Sequence, residues 1–406
     1  MTTTASDPPG RWQVLALLAL ATLLSMTTWF SASAVLPQLR HLWHLGDGGA
    51  AALTLAVQLG FVAGALIAAA LNAADLLAAR QLIQVASFGA AAVNLALLLV
   101  SSGPPAVALR FATGVFLAGI YPPALRQMGT WFRQGRGTAL GVMVGALTLG
   151  SALPHLVNGL GGTDWRAVIV ATSVLTVAGG LLAGRLVHDG PFPFPQAVFD
   201  PRQAARALAS PGVRLATIGY FGHMWELYAM WAWFVVFARS TFAVPGHEPR
   251  LSAPLLTFAV IGVGAVGSWL GGLLGDRWGR TRSTILAMGV SGTCAVVVGP
   301  LRTGPMWLFV SVALVWGLTV VADSAQFSTM VTELSDQRYV GTALTLQLAV
   351  GFTLTTVTIA LIPAAEHVLG WRWVFATLAP GPLLGIVAML RLRRLPEALL
   401  IAGGRR

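Results

Sequence analysis

No lysine occurs among the 406 residues, so all 25 basic side chains are arginine, and charged residues of both signs make up only 10% of the chain. Soluble domains carry about 25% charged residues, so this chain is too poor in charge to be a water-soluble enzyme or a disordered regulator. Cysteine is almost absent as well. The single Cys294 lies in an apolar run, which excludes an internal disulfide and a thiolate metal site. Neither His-Glu-x-x-His nor Gly-x-Ser-x-Gly occurs, so no metalloprotease or serine hydrolase is supported. We therefore expect no catalytic residues, no metal and no cofactor. A membrane-embedded sensor would need an extra cytoplasmic domain, and the short polar ends do not provide one.

What the chain has instead is apolar residues, 56% of the total, together with 46 glycines. A 30 Å hydrocarbon core takes about 20 residues per helix, so this content suffices for about twelve spans. Apolar runs fall at about 12 to 36, 49 to 71, 81 to 100, 106 to 125, 138 to 157 and 165 to 187. Six more fall at about 213 to 237, 253 to 274, 283 to 301, 305 to 327, 340 to 363 and 371 to 391. Backbone polar groups in lipid must be satisfied within their own segment, and the runs lack the alternation of a barrel strand. The expected fold class is all-α, a polytopic membrane protein of twelve transmembrane helices. The first run is too long for a signal peptide, so it is expected to stay as a span.

Arginine placement gives the expected orientation. With both termini cytoplasmic, 18 of the 25 arginines lie inside and 7 outside, as the positive-inside rule requires. The net charge of +11 is accounted for in this way, and no nucleic-acid partner is expected. The segment after the sixth run is rich in proline (Pro191, Pro193, Pro195, Pro201). It divides the chain into an N-terminal six-helix bundle over 1–187, a cytoplasmic linker over 188–212 and a C-terminal bundle over 213–406.

The two parts repeat one another. Asp164-Trp165-Arg166 matches Gly370-Trp371-Arg372, 206 positions on, and Gly137-Thr138-Ala139-Leu140 matches Gly341-Thr342-Ala343-Leu344, 204 positions on. Trp29-Phe30 and Trp233-Phe234 are also 204 apart, and Asp75 and Asp276 are 201 apart. A parallel repeat of this kind is one of the transporter plans. The stretch Gly271 to Arg280, Gly-Gly-Leu-Leu-Gly-Asp-Arg-Trp-Gly-Arg, resembles the cytoplasmic loop motif of the major facilitator superfamily. Arg110-Phe111-Ala112-Thr113-Gly114 resembles that superfamily's fourth-helix motif. The resemblance implies two pseudo-symmetric bundles rocking about a central site, with Gly275, Asp276, Arg277, Gly279 and Arg280 as a conformational latch. Asp75 and Arg80 would form its weaker N-terminal copy, which has lost the Arg after Asp and the Gly. The family's antiporter signature carries Gly-Pro where this chain reads Gly145-Ala146, a departure that favours uptake over efflux. The chain is also distantly similar to the nitrate and cyanate permease branch but lacks that branch's arginine pair on the second and eighth spans, so nitrate is not expected.

Ionisable groups inside a bilayer cost about 3 kcal/mol on insertion scales, which makes each one a functional candidate. His223 and Glu226 lie near the middle of the seventh span, three residues apart and so on one face. A carboxyl that is neutral in one access state and ionised in the other can couple a proton to a solute, so Glu226, His223 and Asp323 are the proton-coupling candidates. A buried structural hydrogen bond is the competing reading for Glu226. Arg110, His155, Trp225, Tyr228 and Gln326 are candidates for the substrate cavity. Arg110 could recognise an anion or extend outward to the interface, and His155 could be a satisfied core histidine. Trp231 and Trp233 fit the outer aromatic belt. Gly262-Val263-Gly264-Ala265-Val266-Gly267 matches a dinucleotide pattern but has no preceding strand, so it is expected to be a close-packed helix surface. These features together predict a secondary transporter of a bacterial-type inner membrane. It would be a functional monomer moving a small organic solute or ion with protons by symport, with antiport efflux as the alternative.

Overall fold

The computed structural model of the protein describes residues 8–71, 77–160, 164–192, 206, 208–243, 252–336 and 340–405. Every element in it is helical. The helices are α1 (Arg11–Ser25), α2 (Ser31–Ala34), α3 (Leu36–Leu42), α4 (Asp47–Ala70), α5 (Ala79–Ala96), α6 (Gly103–Leu117), α7 (Tyr121–Gly129) and α8 (Arg136–Leu160). They continue with α9 (Trp165–Leu186), α10 (Pro211–Phe242), α11 (Ala253–Trp278), α12 (Arg280–Val297) and α13 (Met306–Val320). The last are α14 (Ser324–Leu334), α15 (Val340–Trp373) and α16 (Pro380–Leu392), followed by a 3₁₀ segment over Pro396–Gly404.

Among the described residues, nine helical stretches are long and apolar enough to cross a membrane. One of them, Val340–Leu392, runs 53 residues and is interrupted at Gly370, whose φ of 65° leaves the helical region. The helices α10 and α12 coincide with the expected seventh and ninth spans but are less apolar. In α10 the dilution comes from His223, Glu226 and several Trp and Tyr, and in α12 from Arg280 and Arg282.

Four expected spans are broken rather than straight, the twelfth by a 3₁₀ turn at Val374–Leu378 between the end of α15 and α16. The first passes from α1 through a 3₁₀ turn at Met26–Thr28 into α2. The fourth breaks between α6 and α7, and the tenth between α13 and α14, where Asp323 occupies the break. A broken helix leaves backbone groups unpaired in the interior, which is tolerated only where side chains or a cavity satisfy them. Such breaks line the binding sites of transporters.

The helices up to α9 pack mainly with one another, as do those from α10 onward, and the main pairings that join the groups are α8 with α11, α4 with α15 and, more lightly, α8 with α14. The glycine stripe of α11 permits its packing against α13. A Cβ at Gly264 would meet the Gly317 carbonyl oxygen at 2.9 Å, and one at Gly267 would collide with that of Leu318. This is the close-packed surface expected for the dinucleotide-like pattern.

Candidate functional site

At the centre of the molecule the two groups of helices meet through aromatic rings. Trp29, Phe30 and Phe61 from the first group face Tyr228, Trp231 and Phe352 from the second. Phe61 and Phe352 have centroids 4.7 Å apart, and Trp29 and Tyr228 5.9 Å. Such ring pairs add about 0.5–1.5 kcal/mol each beyond their burial. The indole N–H groups of Trp29 and Trp231 lack hydrogen-bond partners among the described residues, as do both polar atoms of the buried side chains Gln58 and Gln347. Tyr228 is therefore at the junction, packed among rings of both groups. Trp231 is 1% exposed and belongs to this ring set rather than to an interfacial belt. Trp233 is also interior, its indole donating to the Ile359 carbonyl at 2.9 Å. Trp225 packs on a neighbouring segment instead, donating to the Thr377 carbonyl at 3.1 Å.

His223 and Glu226 share a helix but not a partner. Glu226 accepts from the Trp316 indole at 2.6 Å and from the Ser291 hydroxyl at 2.9 Å, so both carboxyl oxygens are engaged. His223 turns to the break in the tenth span, where its Nδ1 lies 2.9 Å from Asp323 Oδ1. Both members of this contact are 2% exposed. The contact meets an ion-pair distance but not hydrogen-bond geometry, so Oδ1 of Asp323, like Nε2 of His223, has no hydrogen bond among the described residues. One acid site is thus fully satisfied and the other is not. Gln326, the other expected neighbour of Asp323, is drawn elsewhere: it accepts from Arg280 at 3.0 Å and donates to the Gly271 carbonyl at 3.1 Å.

Arg110 does not extend outward. Its side chain is wholly buried, donating to the Thr28 carbonyl at 3.0 Å, Ser31 Oγ at 3.2 Å, Asn94 Oδ1 at 3.3 Å and the Trp29 carbonyl. Thr28 and Trp29 border the break in the first span, so the cation satisfies carbonyls that the interrupted helix leaves open. His155 is buried with neither ring nitrogen partnered, contrary to a satisfied core histidine.

The loop motif forms a charge network at the end of the molecule that also carries the C-terminal segment. Gly279, with φ of 98°, makes the turn between α11 and α12 that a β-carbon would strain. Arg280 holds Glu333 through two bonds of 3.0 and 2.8 Å and Asp276 at 3.3 Å. Asp276 Oδ2 reaches across to the start of α8, accepting from the backbone N–H of Thr138 at 3.1 Å and from its hydroxyl at 3.2 Å. A carboxylate at a helix N-terminus is favourable for both dipole and capping reasons. Gly275 sits where a Cβ would strike the Gln326 side chain. Arg277 is exposed and has no ion pair among the described residues, and the same is true of Arg80 as to pairing. Asp75 lies outside the described residues.

Sequence reasoning missed Glu333, Trp316, Ser291 and Asn94. A mid-span Asn and a mid-span Trp each carry a polar group that must find a partner in lipid, and that signal was available.

The family model of the Major Facilitator Superfamily matches residues 18–355. The uncharacterized transporter ESBP6 of Saccharomyces cerevisiae is 28% identical over 193 residues, covering 43% of this chain and 27% of that protein. This match therefore spans about a quarter of the yeast relative. Among solved structures, the human organic anion transporter MFSD10 (TETRAN) superposes with a TM-score of 0.73 at 13% identity, covering 94% of this chain and 100% of that one. A bacterial homolog of the human lysosomal transporter Spinster, inward-facing and unoccupied, gives 0.65 at 15% identity over 95% and 96%. At these identities the two structures establish a shared fold.

Proposed function

Because the chain belongs to the Major Facilitator Superfamily, we propose that it is a proton-coupled secondary transporter of twelve spans in two six-helix bundles. It takes up a small organic solute or ion by alternating access across a bacterial-type inner membrane, as a monomer, with both termini cytoplasmic. The aromatic junction is then the closed centre of the pathway, and the charge network of Arg280 is a cytoplasmic latch.

The single observation that carries the coupling is the buried contact of His223 with Asp323 at 2.9 Å in a helix break. An ionisable pair in the membrane interior is costly unless it is used or fully partnered, and this pair retains unpartnered polar atoms. Loss of a proton from Asp323 would strengthen its hold on His223 and gain of one would release it, biasing the α13–α14 break against α10. Glu226, with both oxygens engaged, fits a structural role better.

The test uses proteoliposomes loaded with a pH-sensitive dye and challenged externally with organic anions, sugars, amino acids and lipophilic cations. Symport predicts lumenal acidification by at least one compound. Asp323→Asn should abolish the pH change, and Glu226→Gln should retain it in protein that still folds. An unchanged proton response in Asp323→Asn would remove the pair from coupling, and lumenal alkalinisation would reverse the direction to antiport.

A further inference from the structure

A cavity of about 470 Å³ opens between the two groups of helices at the end opposite the latch. On the transporter reading this end faces outward. The cavity is lined by Gln38, His41, Trp165 and Arg166 from the first group and by Arg239 from the second, with Pro37 and Leu42 as apolar wall. Three of these side chains are basic or can become so, and no carboxylate is among them. Arg239 is exposed and has no ion pair among the described residues. Arg166 lies over the Trp165 ring at 5.1 Å. Its nearest acid, Asp164, is 4.0 Å away, and that carboxylate also accepts the backbone N–H of Arg166 at 3.0 Å. The guanidinium heads therefore keep most of their donors free.

Further buried polar atoms in the same half of the molecule lack partners. Oε1 of Gln38 is buried without a partner. On α8, His155 is fully buried with both ring nitrogens unpartnered, and Ser151, one turn earlier, has an unpartnered buried hydroxyl. Native proteins pair the great majority of buried polar groups. The unpaired Gln38 oxygen in a lining where basic side chains outnumber carboxylates is a group that a polar guest would satisfy.

We propose that this cavity recognises an organic anion with a compact apolar body. Its acid head would bridge Arg239 and Arg166, and its body would lie against Trp165, Leu42 and Pro37. A guanidinium fork binds a carboxylate through parallel charge-assisted bonds, and the Trp165–Leu42 wall covers the remainder of the ligand. Because Arg239 and Arg166 come from different groups of helices, the bound anion also links the two sides of the mouth. Naming the cavity an entry station rests on the transporter reading, whereas the binding itself does not.

The experiment measures equilibrium binding of radiolabelled benzoate to purified full-length protein in detergent, with benzyl alcohol and benzylammonium as uncharged and cationic counterparts. Benzoate should bind saturably, with both counterparts at least tenfold weaker. Arg239→Gln and Arg166→Gln should each weaken benzoate at least tenfold, Arg239→Lys should lose less than threefold, and Arg372→Gln should leave affinity unchanged. Both cavity arginines project from the surface, so their variants should elute as the parent does in gel filtration. Equal benzoate affinity in parent, Arg239→Gln and Arg166→Gln overturns the proposal, as does absence of saturable binding or equal binding of benzylammonium. Saturable, arginine-dependent binding without solute accumulation in proteoliposomes would instead sustain the site and sink the transporter reading.

Discussion

The residue that best shows how polarity is handled in this chain is Arg110. A buried guanidinium without a carboxylate would ordinarily be costly, yet here it meets four oxygen acceptors, two of them carbonyls bordering the break in the first span. Its contacts place Trp29 and Phe30 at the aromatic junction. Hydrogen bonds to a charged group are worth about 1.5–3 kcal/mol, and stranded buried acceptors cost about 1–3 kcal/mol each. Arg110→Met should therefore destabilise the protein by about 3 kcal/mol or more, read as a lowered thermal midpoint in detergent relative to Arg110→Lys. Equal midpoints would mean that the break holds without the cation. The sequence marked Arg110 as significant but misplaced its head group, because the carbonyls it serves lie 82 and 81 positions away. Glu226 and His223 went the same way: helical spacing put them on one face, but neighbouring helices supplied Trp316, Ser291 and Asp323 as the actual partners.

At the scale of elements, the long apolar runs were legible because the bilayer imposes length and composition on each span. The breaks within the expected first, fourth and tenth spans were less legible: Pro122 and Pro123 signal the one before α7, but Met26–Thr28 and Asp323 sit in stretches apolar enough to read as continuous. The C-terminal 3₁₀ segment was equally invisible. Glu397 Oε2 accepts from the Gly212 backbone N–H at 2.5 Å and from the Ser210 hydroxyl at 3.2 Å, capping α10 from outside that helix. Ala402 N donates to Glu333 at 3.1 Å, and Arg405 donates to the Asp276 carbonyl at 2.6 Å. The segment thus ties the start of α10 to the latch. Loss of a side-chain cap costs about 1 kcal/mol, so Glu397→Ala should lower the thermal midpoint modestly. Hydrogen exchange should rise in the first turn of α10 while the middle of that helix stays protected. Unchanged exchange there would show that the cap is redundant with Ser210, which itself accepts from Val213 N at 3.3 Å.

For the whole molecule, the two groups of helices are tied at both ends. At one end Asp276 caps α8 through Thr138. At the other, His367 at the end of α15 meets Asp47 at the start of α4 at 2.9 Å, and Arg40 also engages Asp47. The loop motif marked Asp276 but not its partner Thr138, and the second tie joins side chains 320 positions apart with no motif around them. The alternating access proposed for this chain requires that one tie open while the other holds, so the two should bias the population in opposite directions. His367 is 66% exposed at the side chain, and an exposed pair is worth about 0.2–1 kcal/mol, a change of roughly 1.4- to 5-fold in a two-state ratio. The Asp276 contact, charge-assisted and at a helix N-terminus, should weigh about 1 kcal/mol. Spin labels across each face, read by pulsed dipolar spectroscopy in lipid nanodiscs, provide the measurement. Asp276→Asn should lengthen distances on the latch side and His367→Ala those on the other, each raising its open fraction up to about fivefold, as a 1 kcal/mol bias implies. If both substitutions shifted the same face, the ties would be parts of one static scaffold, and the latch role assigned to Asp276 would fail.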